Sequence, residues 1–158
     1  MNTRILNREG ALPSDGWYNI EANGEHINHR ARVVQVIDPT AVASIVNRFA
    51  QEAQAAGTDF AGQRIDKDHL SASEEHSTES LGWAMEIRNR DGLMEARIDW
   101  TGLGQPLIAS APGKPPVYKF FSTEYDPEQC ERLGTRRIRN RNYDVVRPLR
   151  LDGLSLTN

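Results

Sequence analysis

Apolar and polar residues alternate along several stretches of the chain, and this period of two predicts a domain made mainly of β-strands. Aspartate–glycine at positions 91–92 separates two such stretches and is a strong hairpin signal, and asparagine–glycine at positions 23–24 is a hairpin-turn dipeptide as well. The predicted strands are Trp17–Glu21, Arg30–Ile37, Arg64–His69, Leu81–Ile87, Leu93–Trp100, Val117–Asp126 and one or two within Tyr143–Asn158.

Helical spacing of apolar residues appears in one long segment. It begins after Asp38 or Thr40, either of which is available as the N-cap, and Gly57 is a plausible stop. A second, short helix is predicted over residues 101–110, with Thr101 as its cap. Its inward-facing residues are expected to be Leu103, Leu107 and Ile108.

Together these elements predict an α+β domain that is mostly β. The expected architecture is an antiparallel barrel, closed or nearly closed, with one or two main helices. Residues 1–16 contain turn formers with little periodicity and are expected to be an extended lead-in, which leaves residues 17–158 as one domain. A chain of 158 residues is long enough to build a hydrophobic core of its own.

Composition and charge narrow the classes of function. The net charge of −3 does not favour binding to nucleic acid, and no apolar run reaches the length of a membrane span. The polar N-terminus differs from a signal peptide. The single cysteine, Cys130, has no partner for an internal disulfide, which favours a cytosolic setting. No cofactor is predicted.

The aromatic-rich stretch Val117–Asp126 contains the candidate chemistry. On a strand, Ser122 lies on the same face as Phe120 and Glu124, so a small hydroxyl stands among larger side chains. A serine hydroxyl becomes a good nucleophile when a base removes its proton, and the imidazole of His69, at the end of another predicted strand, is suited to that role. From the pattern alone, however, a serine in a strand is most often a space-filling residue.

Several short motifs occur along the chain in one order. They are Ile65-Asp-Lys-Asp-His69, Leu81-Gly-Trp83, Asp91-Gly-Leu93, Asp99-Trp-Thr101, Tyr118-Lys-Phe-Phe-Ser122 and Leu154-Ser-Leu-Thr-Asn158. This ordered series resembles the Mu-like phage protein I family of prohead proteases, which look like relatives of the herpesvirus assemblin-type serine proteases. The resemblance covers roughly residues 60–158, and no single motif is specific by itself.

The resemblance implies a β-barrel wrapped by helices, with Ser122 as the nucleophile and His69 as the general base. It implies cleavage of phage scaffold and capsid proteins, and of the enzyme itself, inside the immature phage head in the bacterial cytoplasm. Assembly into a homo-oligomer is left open. Two departures from the family stand out: Thr123 replaces the usual proline, and the chain stops at Asn158, before the C-terminal scaffold region of the family.

A third catalytic group should orient His69 and stabilise its charged form. Asp152 is the preferred candidate, because its apolar neighbours place it on a partly buried final strand. Asp66 is a rival that fits the Asp-x-x-His pattern, although a regular strand would direct its side chain away from that of His69. His76 is a third option, because assemblin-type enzymes look as if they use a second histidine.

The sequence defines less clearly the roles of three other sets of polar groups: the oxyanion donors, the arginine-rich segment and a possible metal site. The oxyanion donors are expected to be backbone N–H groups or one of Arg147 and Arg150. The arginines within residues 132–141 indicate either a solvated hairpin or loop, or a docking site for acidic scaffold segments. A metal site at His69, Glu74, Glu75 and His76 matches no zinc signature.

Two hypotheses of different class therefore follow. The leading one is a serine endopeptidase of phage head maturation. The alternative is a catalytically inactive scaffold or capsid-assembly module of the same fold, which the replacement of proline by Thr123 keeps open. A metal-dependent hydrolase is a distant third.

Overall fold

The computed structural model describes residues 2–5, 15–68, 79–109 and 111–158. Eleven strands lie within these residues, together with two α-helices, α1 (Pro39–Ala56) and α2 (Gln105–Ile108). The strands are β1 (Asn2–Ile5), β2 (Trp17–Ala22), β3 (Gly24–Asn28), β4 (Val33–Ile37), β5 (Gln63–Lys67), β6 (Gly82–Arg90), β7 (Leu93–Trp100), β8 (Phe120–Glu124), β9 (Cys130–Ile138), β10 (Arg141–Pro148) and β11 (Gly153–Thr157).

The larger sheet is nearly closed. Its seven strands follow the spatial order β1, β8, β11, β5, β6, β7 and β2, and its two edge strands, β1 and β2, pack against each other. Neighbours are antiparallel except for β11 and β5, which run parallel. The expected α+β class is confirmed. The fold is mostly strands, with one main helix and a nearly closed barrel-like sheet.

The inner face of this sheet builds the main core. Tyr18, Trp100 and Phe121 meet at its centre with ring centroids 5.6 to 6.2 Å apart. Ile65 and Leu154 continue the same face and are almost completely buried. The apolar positions that alternate along the sequence therefore converge inside the sheet, as the period of two predicts.

A second sheet has four strands in the order β3, β4, β10 and β9. The Asn23–Gly24 turn joins β2 of the larger sheet to β3 of this one, so the expected hairpin turn there is wrong. Strand β2 pairs with β7, a pairing that the backbone N–H of Asn23 extends by donating to the carbonyl of Gly92, whereas β3 pairs with β4. The hairpin turn at Asp91–Gly92 is confirmed, and both of its residues have positive φ, as a tight turn of this kind requires.

Helix α1 begins and ends as its sequence predicts. The Asp38 carboxylate accepts a hydrogen bond from the backbone N–H of Ala41 at 2.8 Å, and Gly57 caps the C-terminus with a φ of +57°. The buried face of the helix adds to the main core and contains Ala41, Val42, Ile45 and Phe49.

The chain around α2 follows the prediction in part. The Thr101 hydroxyl accepts from the backbone N–H of Gly104 at 3.3 Å, and Ile108 is completely buried. Leu103 was expected to face inward, but it is 52% exposed, because the helix starts only at Gln105 and Leu103 lies in the turn before it.

Residues 2–5 of the expected lead-in are extended and belong to the larger sheet. These residues form β1, which pairs antiparallel with β8, so Asn2 lies opposite Thr123 and Ile5 opposite Phe120. Edge pairing of this kind needs no hydrophobic periodicity, since backbone groups supply the hydrogen bonds. The rest of the predicted lead-in, up to residue 14, lies outside the described residues.

Candidate functional site

Ser122 lies at the centre of β8 and is completely buried. Its neighbours Phe121 and Thr123 face the core, so Ser122 faces the outer side of the barrel-like sheet. The predicted alternation along this strand is thus confirmed. A completely buried hydroxyl becomes reachable to a substrate only if whatever covers it moves.

A row of polar side chains crosses three adjacent strands at this level. Ser122 on β8 stands opposite Ser155 on β11, and Ser155 stands beside Asp66 on β5. Residues in register on neighbouring strands direct their side chains to the same face of the sheet. Ser122 is 0%, Ser155 1% and Asp66 4% exposed, and the Ser155 hydroxyl donates a hydrogen bond to the Asp66 carboxylate.

Ser155 was not among the residues singled out from the sequence. Its signal was weak, because the final strand reads simply as leucines alternating with small polar residues. Only the parallel pairing of β11 with β5 brings Ser155 between Ser122 and Asp66, and that pairing joins segments about ninety residues apart in sequence.

His69 lies outside the described residues, so its distance from Ser122 stays a prediction. Strand β5 ends at Lys67, earlier than expected, and Asp68 follows it in a left-handed turn with a φ of +51°. The Asp68 backbone N–H donates to the carbonyl of Leu156 at 2.9 Å, which holds the turn beside β11. Because this turn ends the strand alternation, the argument that placed Asp66 and His69 on opposite faces does not apply.

Asp152 does not lie on the final strand, so that expectation is wrong. It lies in the connection just before β11, where its carboxylate accepts from the backbone N–H of Asp126 at 2.8 Å and approaches Arg150 Nε to 3.3 Å. Ser155 is three residues further along, which at a strand rise of about 3.3 Å per residue places Asp152 about 10 Å from the polar row.

Most of the residues in the second-histidine and metal-site hypotheses lie outside the described part of the chain. His76, Glu74 and Glu75 lie there together with His69. Within the described part of the chain, no group of three or more histidine, cysteine or carboxylate side chains is arranged to hold a metal ion.

Asn158 holds in place the segment that leads into β8. The Asn158 side chain accepts from the backbone N–H of Lys119 at 3.2 Å and donates to the carbonyl of Val117 at 2.9 Å. Nearby, the Tyr118 hydroxyl donates to the Asp68 carboxylate at 3.1 Å. Burial, followed by this contact with Asp68, raises the pKa of Tyr118. These contacts join the segment that leads to Ser122 with the segment that leads toward His69.

Both arginines considered as oxyanion donors are engaged in ion pairs. Arg147 contacts both carboxylate oxygens of Asp38, with distances down to 2.7 Å, and also contacts Glu131 at 2.8 Å. Arg150 lies 3.4 Å from Glu52 and 3.3 Å from Asp152. Backbone N–H groups are therefore the better candidates for oxyanion donors.

The arginine-rich segment forms the hairpin of β9 and β10, one of the two expected arrangements. Arg136 makes a two-point contact with Glu25, at 2.6 and 2.9 Å, and Arg132 contacts Asp144 at 2.9 Å. Other arginines of the hairpin are exposed near its tip: Arg137, Arg139 and Arg141.

A second buried polar cluster lies on the inner face of the larger sheet and was missed from the sequence. The Glu21 side chain is completely buried, accepts a hydrogen bond from the Thr123 hydroxyl at 2.7 Å and lies 3.7 Å from His26 Nε2. Tyr125 is next to this cluster, where burial and then the charge of Glu21 raise its pKa. Glu21 shows no sequence signal beyond a carboxylate at the end of an apolar strand.

Comparison with protein-family models, with curated sequences and with solved structures returned no match. Among the described residues, α1 is the longest helix, and none is both long and apolar enough to cross a membrane.

Proposed function

We propose that this chain is a serine endopeptidase of phage head maturation, with Ser122 as the nucleophile and His69 as its general base. Its substrates are then scaffold and capsid proteins inside the immature head. The observation that carries the proposal is the buried row of Ser122, Ser155 and Asp66, because it places a hydroxyl and a carboxylate on one face, beside the strand that leads to His69.

Asp66 is the group we propose to orient His69, in the role that the sequence favoured for Asp152. Asp66 is 4% exposed and lies in register with Ser122 across one intervening strand. A buried carboxylate is stabilised by a nearby imidazolium, which is the charge that develops on the base during acyl transfer. Asp152 is already engaged with Arg150 and lies about three residues from the row.

The inactive scaffold module is the second candidate, and one observation favours it. Ser122 is 0% exposed, whereas a working nucleophile must meet a peptide carbonyl. Under the protease proposal, the cover over Ser122 opens when a substrate binds. Under the module proposal, Ser122 stays inaccessible and serves only packing.

Labelling with a fluorophosphonate, located by mass spectrometry, separates the two candidates. The protease should acquire one adduct at Ser122, and the Ser122→Ala variant should acquire none. Ser44→Ala is the control, because it removes a hydroxyl that donates to the carbonyl of Leu149 and lies outside the polar row. A folded wild-type chain that takes up no label at Ser122 under denaturant-free conditions overturns the protease proposal in favour of the module.

The rate of labelling also tests the roles of the other two groups. Asp66→Asn should slow the reaction by about 10² to 10⁴-fold, the latter being the cost of the equivalent change in the chymotrypsin-type triad, while Asp152→Asn should stay within about threefold of wild type. The reverse ranking would restore Asp152 as the orienting group. Since a neutral imidazole is needed, the rate should fall as pH drops through roughly 6 to 7.

A further inference from the structure

Positive charge is concentrated at one end of the second sheet. Strands β4 and β10 pair in parallel, with Val33 opposite Asp144, so both strands begin at the same end. The loop 29–32 before β4 and the hairpin tip 137–141 before β10 therefore lie at that end, and the backbone N–H of Asp144 donates to the carbonyl of Arg32 at 3.0 Å. We call this surface the basic end, and five exposed arginines define it: Arg30, Arg32, Arg137, Arg139 and Arg141.

The arginines of the basic end differ from their neighbours in the same sheet. Arg132 contacts Asp144, and Arg136 contacts both carboxylate oxygens of Glu25, at 2.6 and 2.9 Å. In the described part of the chain, none of the five arginines of the basic end has a carboxylate within ion-pair distance. The two-point contact of Arg136 with Glu25 shows on this sheet how an arginine holds a carboxylate. The basic end offers the same donor groups to a carboxylate from another molecule.

The charge of the rest of the chain indicates which kind of anion fits. Five of the 19 lysines and arginines belong to the basic end, so the other 14 stand against 22 aspartates and glutamates, a net charge of −8. A long polyanion such as duplex nucleic acid extends beyond the basic end and meets a chain that is otherwise negative. Single-stranded nucleic acid binds by stacking its bases on exposed rings, whereas the ring of Tyr143 at this end is 3% exposed and packs against His29. A short anionic segment avoids both difficulties.

We propose that the basic end is a docking surface for an acidic segment of a protein, bound in an extended conformation. One exposed ion pair contributes little in water, so binding requires several contacts at once. An extended segment spaces its carboxylates along its length and reaches the arginines of the loop and of the hairpin tip together. The tip is a tight turn in which Arg139 and Asn140 have φ values of +47° and +60°, so its arginines project from a well-defined hairpin.

The docking surface gives the proposed protease a means of recruiting its substrates through a segment separate from the cleaved bond. That the acidic segment belongs to a scaffold or capsid protein rests on the proposed function. The binding itself does not involve the hydroxyl of Ser122. It is therefore measured on the Ser122→Ala chain, in which the proposed nucleophile is absent and the partner stays intact.

The experiment is a fluorescence-anisotropy titration of the Ser122→Ala chain into a labelled peptide of five glutamate–serine repeats. We expect saturable binding that weakens as salt is raised, because exposed charges are screened. The glutamine–serine peptide of the same length should bind at least tenfold more weakly, and an oligothymidylate of equal charge should also bind more weakly than the glutamate peptide. Equal binding of the two peptides, no saturation with the glutamate peptide, or tighter binding of the oligothymidylate overturns the proposal.

Variants locate the binding to the basic end. One triple variant removes three charges of the hairpin tip and should weaken binding of the glutamate peptide at least tenfold: Arg137→Gln, Arg139→Gln and Arg141→Gln. The matched control removes the same charge from three exposed residues elsewhere and should stay within twofold of the parent: Lys67→Gln, Arg90→Gln and Lys114→Gln. Equal weakening in both triple variants shows that binding follows net charge and refutes the site. The comparison of peptides uses no arginine variant, so it decides the matter even if those variants fold poorly.

The two proposals fail in distinguishable ways. Phosphonate labelling at Ser122 without binding of the glutamate peptide leaves the protease proposal standing and removes the docking surface. Peptide binding without labelling leaves a module that binds acidic segments and overturns the protease proposal.

Discussion

Arg147 offers the most quantitative prediction about what the polar network does. Its guanidinium joins Asp38, at the start of α1, to Glu131 on β9, and so connects the main helix to the second sheet. Contacts with Asp38 and then Glu131 raise the pKa of Arg147, and the hydrogen bond from Arg147 lowers the pKa of Asp38. Sequence reasoning named Arg147 as a possible oxyanion donor, whereas these contacts predict a role in stability.

The expected loss of stability follows from the two interactions of the Asp38 carboxylate, one with Arg147 and one with the backbone N–H of Ala41. The side chains of Asp38 and Arg147 are 26% and 20% exposed, so their charge-assisted hydrogen bonds are only partly screened and should contribute about 1–2 kcal/mol. The N-cap bond to Ala41 contributes about 1 kcal/mol more. Asp38→Asn keeps a good cap and loses the ion pair, so it should cost about 1–2 kcal/mol, and Asp38→Ala about 2–3 kcal/mol.

The assay is thermal and urea unfolding at pH 7, followed by circular dichroism. For a domain of this size each kcal/mol corresponds to about 2–4 °C, so Asp38→Ala should lower Tm by about 4–12 °C. Glu25→Gln serves as the control, because Glu25 makes a comparable two-point contact with Arg136 on the exposed surface and should leave Tm nearly unchanged. Wild-type stability in both Asp38 variants would refute the reasoning.

The ion pair of Asp38 and Arg147 also predicts how the stability of the fold depends on pH. Because the pKa of Asp38 is lower in the folded than in the unfolded chain, its contribution to stability is fully present above the unfolded value, about 3.8. It is lost as pH falls through the lower, folded pKa. The difference in stability between wild type and Asp38→Asn should therefore be constant from about pH 7 to 5 and shrink below about pH 4.

Two other residues give predictions about reactivity and packing. Burial, followed by the charges of Asp152 and Asp126, raises the pKa of the Cys130 thiol to about 11. Iodoacetamide at pH 8 should therefore modify it roughly 100-fold more slowly in the folded chain than in urea, and equal rates would contradict this. A Cβ on Gly104 would lie 1.8 Å from the carbonyl oxygen of Leu81, so Gly104→Ala should cost about 3 kcal/mol or more in urea unfolding. Gly102→Ala has open space and should stay within about 0.5 kcal/mol; equal losses in the two variants would show that crowding is not the cause.

Local signals determined much of the fold. The helix from Pro39 to Ala56 was predictable because its cap, its apolar spacing and its terminal glycine all act within a few residues of one another. The β6–β7 hairpin was predictable for the same reason, since Asp91 and Gly92 favour the backbone conformation that the turn needs. The alternation of β8 placed Ser122 on its correct face before any partner strand was known.

The tertiary structure alone decided which strands became neighbours. Asn23–Gly24 has a hairpin-turn sequence, yet it joins two sheets, because a turn dipeptide does not specify which strands pair across it. The candidate site shows the same limit. Asp152 looked better placed than Asp66 because burial was read from neighbours in sequence, whereas the parallel pairing of β11 with β5 brings Ser155 against Asp66 across the sheet. Pairing between distant segments depends on the whole core, and the pattern of one strand does not encode it.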